Sequence, residues 1–299
     1  MIVITGATGH TGKVAAEALL EKGEKVRVVG RDTSKLQEFV QKGAEAATAN
    51  MEDPVSLVKA LEGAEAAYVL IPQNPASEDY RSYQHLVADA IAFAVAHAKV
   101  PYVVTLSSIG AQHPEGTGPI AALHGLEHKL NMIRDLNVLH VRADFFMENL
   151  LMSIAPMRKF GMLAGAFPPD FAQGWIATRD IGAYVARRIA ARDYAESSAQ
   201  EITGPRDLSP KEVVGIIGPA IGKPTLGYTQ LPFVMLEPAM AQMMPRKTAA
   251  LIVEMWKATK DGLVKREQPR TPENTMPTTL ESWAAEVFAP AFLEKSATA

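Results

Sequence analysis

A short apolar segment that runs directly into three evenly spaced glycines constrains the fold of this chain more than any other feature. The stretch VITGATGHTG covers residues 3 to 12 and places Gly6, Gly9 and Gly12 three residues apart. At a strand-to-helix turn, such glycines permit a tight bend, let an anion approach the main chain and let the helix pack closely on the strand. The spacing therefore predicts a β-strand, an anion-binding turn and an α-helix.

Apolar runs alternate with amphipathic stretches over the first half of the chain. Between the runs, apolar residues recur at helical spacing. Because the runs are hydrophobic throughout, they predict a parallel sheet covered by helices on both faces, which is a Rossmann-type doubly wound α/β fold. The predicted strands are Ile2 to Thr5, Val26 to Val29, Ala46 to Ala49, Ala66 to Ile71, Val100 to Leu106 and Val138 to Val141.

After about Asp144 the alternation gives way to short elements separated by Pro and Gly. Helices are predicted over residues 180–192, 209–221, 239–263 and 280–288, with Asp180 as the N-cap of the first. We interpret residues 1–150, with returning elements at about 176–205, as a dinucleotide-binding domain. Residues 151–299 are then mainly a smaller C-terminal substrate lobe.

Composition narrows the classes of partner. The chain of 299 residues has a formal net charge of −3 and no cysteine. No nucleic-acid partner is expected, because the basic patch that such binding requires is missing. Disulfides, thiolate zinc sites and cysteine nucleophiles are excluded. The N-terminus lacks the basic region of a signal peptide, and no apolar run is long enough to span a bilayer, so we expect a cytoplasmic protein without a membrane partner.

The glycine turn and the second strand together predict the cofactor. No Gly-Lys-Ser/Thr follows the glycines, so the turn suits a dinucleotide diphosphate better than a P-loop ligand. The second strand ends in VVGRDTSKL, where Arg31 follows Gly30 in place of the usual acidic residue. Arg31, with Lys35 as a second cation, suits the 2′-phosphate of NADPH. Asp32 keeps NAD as a less favoured alternative, and a solvated charged pair is another.

Five stretches resemble the NmrA-like branch of the atypical short-chain dehydrogenase/reductase superfamily. This family includes quinone reductases, triphenylmethane dye reductases, isoflavone-reductase-like enzymes and regulators that bind the dinucleotide without turnover. The resemblance implies a Rossmann domain and a small C-terminal substrate lobe. The stretches are TGATGHTG (5–12), VVGRDTSKL (28–36), VVTLSSIGA (103–111), LHVRADFFMENLL (139–151) and IATRDIGAYVARRI (176–189).

The resemblance also implies which residues contact the cofactor. The main chain of the glycine turn would line the pyrophosphate, the end of the fourth strand would lie along the ribose groups, and the tip of the fifth strand would face the nicotinamide. Alternatively, the serines at that tip only form hydrogen bonds with backbone groups at the end of the strand. The residues carried over, in that order, are Thr8, Gly9, His10, Thr11 and Gly12; Ile71 and Pro72; and Ser107 and Ser108.

The proton donor of most reductases in this superfamily is missing. They use Tyr-x-x-x-Lys, but no tyrosine here has a lysine four residues later. The corresponding stretch, HGLEHKL, places His124 and His128 one helical turn apart, and imidazole exchanges protons near neutral pH. We predict His124, His128 and Ser108 as catalytic residues. The alternative is that both histidines pack against the second lobe, and no metal site is expected because a third ligand is lacking.

These features predict an NADPH-dependent reductase of a small, apolar electron acceptor such as a quinone or conjugated carbonyl. Phe145, Phe146 and Asn149 are the candidate wall of the acceptor cleft. The alternative function is an NADP(H)-sensing regulator without turnover, which the missing tyrosine favours. Epimerase or dehydratase chemistry on nucleotide sugars is disfavoured by the same absence. A monomer or a homodimer is expected.

Overall fold

The computed structural model describes residues 1–294, which form a parallel sheet with helices on both faces and a smaller C-terminal region. Its strands are β1 (Ile2–Thr5), β2 (Val26–Gly30), β3 (Glu45–Thr48), β4 (Ala66–Val69), β5 (Tyr102–Ser108), β6 (Asn137–Ala143), β7 (Phe145–Phe146), β8 (Met162–Gly165), β9 (Gln173–Ile176), β10 (Ser197–Ile202), β11 (Asp207–Leu208) and β12 (Gly227–Gln230). The main sheet has seven strands in the order β10-β6-β5-β4-β1-β2-β3. Two small sheets, β11-β9-β7 and β12-β8, belong mainly to the later part of the chain.

Twelve α-helices connect these strands within the described residues. Two short 3₁₀ segments, Thr33–Leu36 and Met147–Ser153, and a π-helical turn at Ala284–Phe288 accompany them. None of the helices in residues 1–294 is both long and apolar enough to cross a membrane. The helices are α1 (His10–Glu21), α2 (Gln37–Gln41), α3 (Pro54–Leu61), α4 (Tyr80–Ala98), α5 (Ile120–Asn131), α6 (Ile154–Phe160), α7 (Thr178–Ala191), α8 (Pro210–Ala220), α9 (Phe233–Met240), α10 (Arg246–Lys260), α11 (Leu280–Trp283) and α12 (Ala289–Leu293).

The predicted fold class is confirmed, and each of the six predicted strands is present with its ends moved by two residues at most. The seventh strand of the sheet, β10, was missed because its sequence, SSAQEI, is polar at four of its six positions. It lies at the outer edge of the sheet and pairs with β6 alone. An edge strand buries less apolar surface than a central one, so its sequence carries a weaker signal.

The predicted helix over residues 239–263 is interrupted: residues 239–240 are the end of α9, and the rest of the helix is α10, which covers only Arg246–Lys260. Pro245 stands at the N-cap of α10, and a proline in the middle of one continuous helix would remove a hydrogen bond and clash with the preceding turn. The predicted terminal helix begins at Leu280 as expected. It is a firmly packed element, since Trp283 and Phe288 are fully buried in the C-terminal cluster.

Asp180 is not the N-cap of its helix, which corrects the sequence prediction. The helix α7 begins at Thr178, and its N-cap is Ala177. Asp180 lies in the first turn, where its carboxylate accepts hydrogen bonds from the N–H and the hydroxyl of Thr278. The N–H of Thr178 is satisfied by the carboxylate of Glu148. The acidic residue expected to cap the helix therefore ties it to the C-terminal segment instead.

Two hydrophobic clusters cover the two faces of the main sheet. One combines the sheet with α1, α2 and α7, and the other with α3, α4 and α5. A third cluster forms the core of the C-terminal region, around α8 and α11. The cores therefore hold the helices of the doubly wound fold in place, so that all seven strands present their carboxyl ends at one edge of the sheet.

Close packing of α7 on α1 depends on Gly182. A Cβ atom at Gly182 would lie 2.6 Å from the carbonyl oxygen of Thr11 and 2.7 Å from Cβ of Val14. We expect Gly182→Ala to lower the free energy of unfolding by roughly 1–3 kcal/mol, the usual cost of overpacking a core. Gly125→Ala in α5 is the control, because its Cβ would meet nothing within 4 Å and the change favours the helix. Denaturant unfolding of both variants tests this; equal stabilities would contradict it.

A C-terminal strap, defined here as residues 265–278, covers the exposed edge of β10. The side chain of Gln268 donates to the carbonyl oxygen of Ala199 and accepts from the N–H of Glu201. The N–H of Thr203 donates to Asn274, and the N–H of Met276 donates back to Thr203. An open strand edge offers unpaired backbone groups to other chains, and the strap satisfies them within the molecule.

Candidate functional site

The glycine turn joins β1 to α1 at the carboxyl edge of the sheet. Gly6 has a φ of +63°, which favours glycine, and a Cβ at Gly12 would overlap the carbonyl oxygen of Gly6. The extended residue Gly9 is the N-cap of α1 and provides no side-chain cap, and the first turn of α1 has no acidic residue. The leading N–H groups of α1, from His10 onward, are therefore placed to donate to an anion.

The residues of this turn differ in how accessible they are. Thr8, Gly9 and His10 are exposed, whereas Thr11 and Gly12 are buried beneath them. The hydroxyl of Thr11 lies 2.9 Å from the hydroxyl of Tyr68, a fully buried residue of β4. An anion can therefore reach Thr8 and His10 directly, while the side chain of Thr11 anchors the start of α1 to the sheet.

The tip of β2 presents two cations and a carboxylate. Arg31 and Lys35 are exposed, and neither side chain forms a hydrogen bond or ion pair within residues 1–294. Asp32 caps the following 3₁₀ turn by accepting from the N–H of Ser34 at 2.9 Å and from its hydroxyl at 2.7 Å. The hydrogen bonds from Ser34 hold the pKa of Asp32 below its usual value. Both of these hydrogen bonds are accepted by Oδ1 of Asp32, whereas the guanidinium of Arg31 faces solvent.

The segment after β4 differs slightly from the prediction. The strand ends at Val69, so Ile71 and Pro72 lie in the loop that follows and not in the strand. Ile71 is buried and Pro72 is partly exposed at the carboxyl edge. Both residues therefore border the same edge of the sheet as the glycine turn.

The two serines at the tip of β5 have different surroundings. Ser108 is partly exposed and donates to the carbonyl oxygen of Ile109 at 3.0 Å. Ser107 is 4% exposed and its hydroxyl lies 2.5 Å from Oε1 of Glu127 in α5. Successive strand residues point to opposite faces, so only Ser107 faces α5.

Glu127 and Arg142 form a buried ion pair beside Ser107 that sequence reasoning missed. Nε of Arg142 donates to Oε1 of Glu127 at 3.0 Å, and Nη2 donates to Oε2 at 2.6 Å. Burial favours the neutral acid, but the hydrogen bonds from Arg142 and Ser107 outweigh it and lower the pKa of Glu127. The sequence did carry a signal for this pair: Glu127 lies on the apolar face of a predicted helix, and Arg142 follows directly after a predicted strand. Because buried charges require partners, these two residues were candidates for an ion pair.

The histidine pair of α5 is only partly directed at the site. The two rings lie 6.5 Å apart and nearly parallel. Nδ1 of His124 lies 2.9 Å from the carbonyl oxygen of Ala111, so Nδ1 carries the hydrogen and Nε2 is left to exchange a proton. His128 is exposed, and the neighbouring Lys129 forms an ion pair with Asp89 of α4. His124, one turn closer to the β5 tip, is the better placed of the two.

A second polar contact between α5 and the sheet lies below Glu127. His140 of β6 is within hydrogen-bond distance of the hydroxyl of Thr105 at 3.0 Å and of Oδ1 of Asn131 at 2.8 Å. Burial lowers the pKa of His140 to about 4, despite the nearby carboxylate of Glu127. This residue is therefore neutral in the folded protein above about pH 4.

The buried His140 predicts an acid-sensitive component of stability. Above pH 6.5 the imidazole is neutral in both states, whereas between about pH 6.5 and 4 only the unfolded chain binds the proton. The free energy of unfolding should therefore fall by about 3 kcal/mol as pH decreases across this window. Urea unfolding of the wild type and of His140→Gln at several pH values measures it. The variant should lose this component, and parallel pH curves for both proteins would contradict the assignment.

The three residues predicted to wall the acceptor cleft are not brought together on one surface. Phe145 packs edge-to-face on Trp175 and belongs to the C-terminal cluster. Phe146 packs against the core of the main sheet. The alternating sides of β7 separate these two rings. Asn149 lies in the 3₁₀ segment that follows and is half-buried.

The helix α10 rests on two loops of the carboxyl edge. Thr248 donates to the carbonyl oxygen of Ser77 and Lys247 forms an ion pair with Asp79, both in the loop between β4 and α4. Gly118, in the loop between β5 and α5, packs so closely on the carbonyl of Leu251 that a side chain would overlap it. A groove of about 320 Å³ lies between α10, Glu237 of α9 and this second loop, and none of the predicted site residues lines it.

Comparisons with known proteins agree with this architecture. An NAD(P)H azoreductase from Xenophilus azovorans is 28% identical over 260 residues, which cover 86% of each chain. An NADPH-dependent quinone oxidoreductase from Escherichia coli, solved in complex with NADPH, has a TM-score of 0.80 at 20% identity and covers 96% of this chain and 100% of its own. A triphenylmethane reductase from Citrobacter sp., solved with NADP(H), has a TM-score of 0.80 at 15% identity and covers 97% and 100%.

Family membership follows from the whole chain and not from the glycine turn alone. Residues 1–284 match the NmrA-like family. This match extends beyond the dinucleotide-binding motif to the C-terminal cluster around Trp283. The resemblance inferred from the five motifs is confirmed, and the chain belongs to the NmrA-like family.

Proposed function

We propose that this protein is an NADPH-dependent reductase of an apolar, electron-poor acceptor such as a quinone or a conjugated carbonyl. The observation that carries the proposal is the turn between β1 and α1, where Gly12 packs closely on Gly6 and Gly9 at the N-cap leaves the first N–H groups of α1 without a side-chain cap. A diphosphate would satisfy these groups and benefit from the helix dipole. The residues present therefore fit a dinucleotide.

The adenosine end is assigned to the tip of β2. The free guanidinium of Arg31, supported by Lys35, would bind the 2′-phosphate of NADPH. Ile71 and Pro72 would border the ribose groups across β4. Since parallel sheets bind dinucleotides across the carboxyl ends of their strands, this orientation would bring the nicotinamide near the tip of β5.

The chemistry at the nicotinamide end is assigned to α5 and β5. When bound, the nicotinamide supplies a hydride. His124 would hold or release a proton at Nε2, because Nδ1 is committed to the carbonyl oxygen of Ala111. This proton could neutralise the reduced acceptor, and quinones need little acid catalysis beyond it. His128 would at most supply protons from solvent, since it is exposed.

Acceptor binding is assigned to the junction of the main sheet with the C-terminal region around α8 and α11. Asn149 and Phe146 lie on the segment that connects the two. Apolar side chains at this junction would exclude water and hold the acceptor beside the nicotinamide, so that hydride transfer becomes effectively intramolecular.

The proposal is tested by mixing the purified protein with NADPH and a panel of quinones and conjugated carbonyls, and following the loss of NADPH absorbance. Turnover with at least one acceptor, and its strong reduction in His124→Ala, is the expected result. His113→Ala, which changes a histidine in the loop before α5, is the matched control. Failure of every acceptor to oxidise a tightly bound NADPH would contradict the enzyme assignment.

The second candidate is an NADP(H)-sensing regulator, and the missing Tyr-x-x-x-Lys pair favours it. This function requires that the affinity of the protein for a partner protein depends on whether NADP⁺ or NADPH is bound. Calorimetric titration with both forms, with and without a captured partner, separates the two functions. A partner whose binding depends on the oxidation state, in a protein without turnover, would support the sensor.

A further inference from the structure

Ser107 differs from a typical active-site hydroxyl because its only hydrogen is donated within the protein, to Glu127. Its Oγ lies 2.5 Å from Oε1 of Glu127, and the residue is 4% exposed. The same Oε1 also accepts a hydrogen bond from Nε of Arg142, and Oε2 accepts one from Nη2 of Arg142. All three side chains are carried by regular elements, namely β5, α5 and β6.

The direction of the hydrogen bond follows from the charge on Glu127. The paired guanidinium keeps this carboxylate ionised, and an ionised carboxylate has no hydrogen to donate. Ser107 must therefore be the donor toward Glu127. A hydroxyl has one hydrogen and two lone pairs, so Ser107 retains only acceptor capacity toward the carboxyl edge of the sheet.

The arrangement is rigid because strand register and helix packing both maintain it. Ser107 and Arg142 are direct partners across β5 and β6. Two residues earlier on the same face, Thr105 and His140 are also partners, and His140 contacts Asn131, which lies one helical turn after Glu127. Two successive polar contacts thus fix α5 over the sheet, so the hydroxyl of Ser107 has little freedom to reverse its direction.

We propose that Ser107 is a hydrogen-bond acceptor at the nicotinamide end of the site and selects an N–H or O–H donor there, with Glu127 and Arg142 as positioning residues. This inference rests on the proposed function. It also means that Ser107 does not donate to a substrate carbonyl oxygen, so recognition of a ketone oxygen falls to other groups. The donor is either the carboxamide N–H of the nicotinamide or a hydroxyl of the acceptor.

The first arm of the test compares NADPH with its acetylpyridine analogue, in which a methyl group replaces the carboxamide NH₂. If the carboxamide is the donor, wild type should bind NADPH roughly 10-fold more tightly than the analogue, and Ser107→Ala should bring this ratio close to one. Ser198→Ala is the matched control for the ratio, because this serine lies near the amino end of β10, away from the carboxyl edge, and its hydroxyl donates to the carbonyl oxygen of Val138. Calorimetry gives the affinities, and circular dichroism confirms folding.

The second arm compares kcat/KM for a hydroxyl-substituted naphthoquinone and for its unsubstituted parent. If the acceptor is the donor, Ser107→Ala should lower the hydroxyquinone preference roughly 10-fold while the ratio of cofactor affinities stays unchanged. Ser107→Cys, which keeps the shape with a weaker acceptor, replaces the alanine variant should that variant fail to fold.

The possible outcomes distinguish a failure of the Ser107 inference from a failure of the proposed function. A change in either ratio supports an acceptor role for Ser107 and identifies its donor. Unchanged ratios in both arms, in a protein that binds NADPH, overturn this inference and leave the proposed function intact. If wild type binds neither NADPH nor the analogue, the proposed function fails and this inference fails with it.

Discussion

Replacing Arg31 with alanine is expected to weaken NADPH binding by roughly 10- to 100-fold and to leave NADH binding nearly unchanged. The guanidinium stands exposed at the tip of β2 without a hydrogen-bond or ion-pair partner among residues 1–294, so its forked N–H groups can bind the 2′-phosphate that NADH lacks. The ratio of the two dissociation constants, measured by calorimetry at fixed ionic strength, reports this directly. Salt must be held constant because it screens the interaction.

Two further substitutions show whether a change in the ratio of NADPH to NADH affinity is specific to Arg31. Lys35→Ala should reduce NADPH affinity by a smaller factor, since an ammonium group on a flexible chain makes a less directional contact. Arg134→Ala removes an exposed arginine from the turn between α5 and β6, at the opposite edge of the sheet, and should change neither affinity. An equal loss of NADPH and NADH affinity in Arg31→Ala would remove the 2′-phosphate assignment.

Glu127→Ala is expected to lower the free energy of unfolding by roughly 3–5 kcal/mol. The variant leaves the largely buried guanidinium of Arg142 without the carboxylate that receives two of its hydrogen bonds, and it removes the acceptor for the hydroxyl of Ser107. Thermal unfolding should show a decrease in Tm of roughly 6–15 °C for a protein of this size. The cost comes from an uncompensated buried charge more than from the lost attraction.

The control for this prediction is the exposed pair of Arg206 and Glu281. Glu281→Ala should change stability by less than about 1 kcal/mol, because solvent screens exposed charges. The double variant Glu127→Leu with Arg142→Met should recover much of the lost stability, since apolar replacements leave no charge behind. A double variant no more stable than Glu127→Ala would show that the ion pair itself, and not the isolated charge, supplies the stabilisation.

The sequence was most informative where the chain is apolar and local. Short apolar runs predicted six strands, and the glycines of residues 6 to 12 predicted the turn between β1 and α1. Signals that depend on distant partners were missed. The polar strand β10 forms because β6 and the strap lie beside it, and Asp180 binds Thr278 because the C-terminal segment returns to α7. Neither partner is visible in a window of neighbouring residues.

In the candidate site, too, residues that act locally were predicted and contacts between distant residues were missed. Gly6, Gly9, Gly12 and Arg31 act through backbone shape or an exposed charge, both of which a short motif expresses. The hydrogen-bond network of Ser107 joins β5, α5 and β6, so no short motif contains all of its members. Phe145 and Phe146 looked like one surface because they are adjacent in sequence, yet the strand that holds them directs them into two different cores.

The strap over β10 has a consequence for synthesis on the ribosome. Residues 1–202 contain every strand of the main sheet, but the segment that seals its outer edge is residues 265–278. During translation, the nascent chain therefore carries an open β-edge for the several seconds that the remaining residues take to emerge. Nascent chains arrested before residue 265 should cross-link to their neighbours on polysomes, and chaperone demand should drop once the strap has left the exit tunnel.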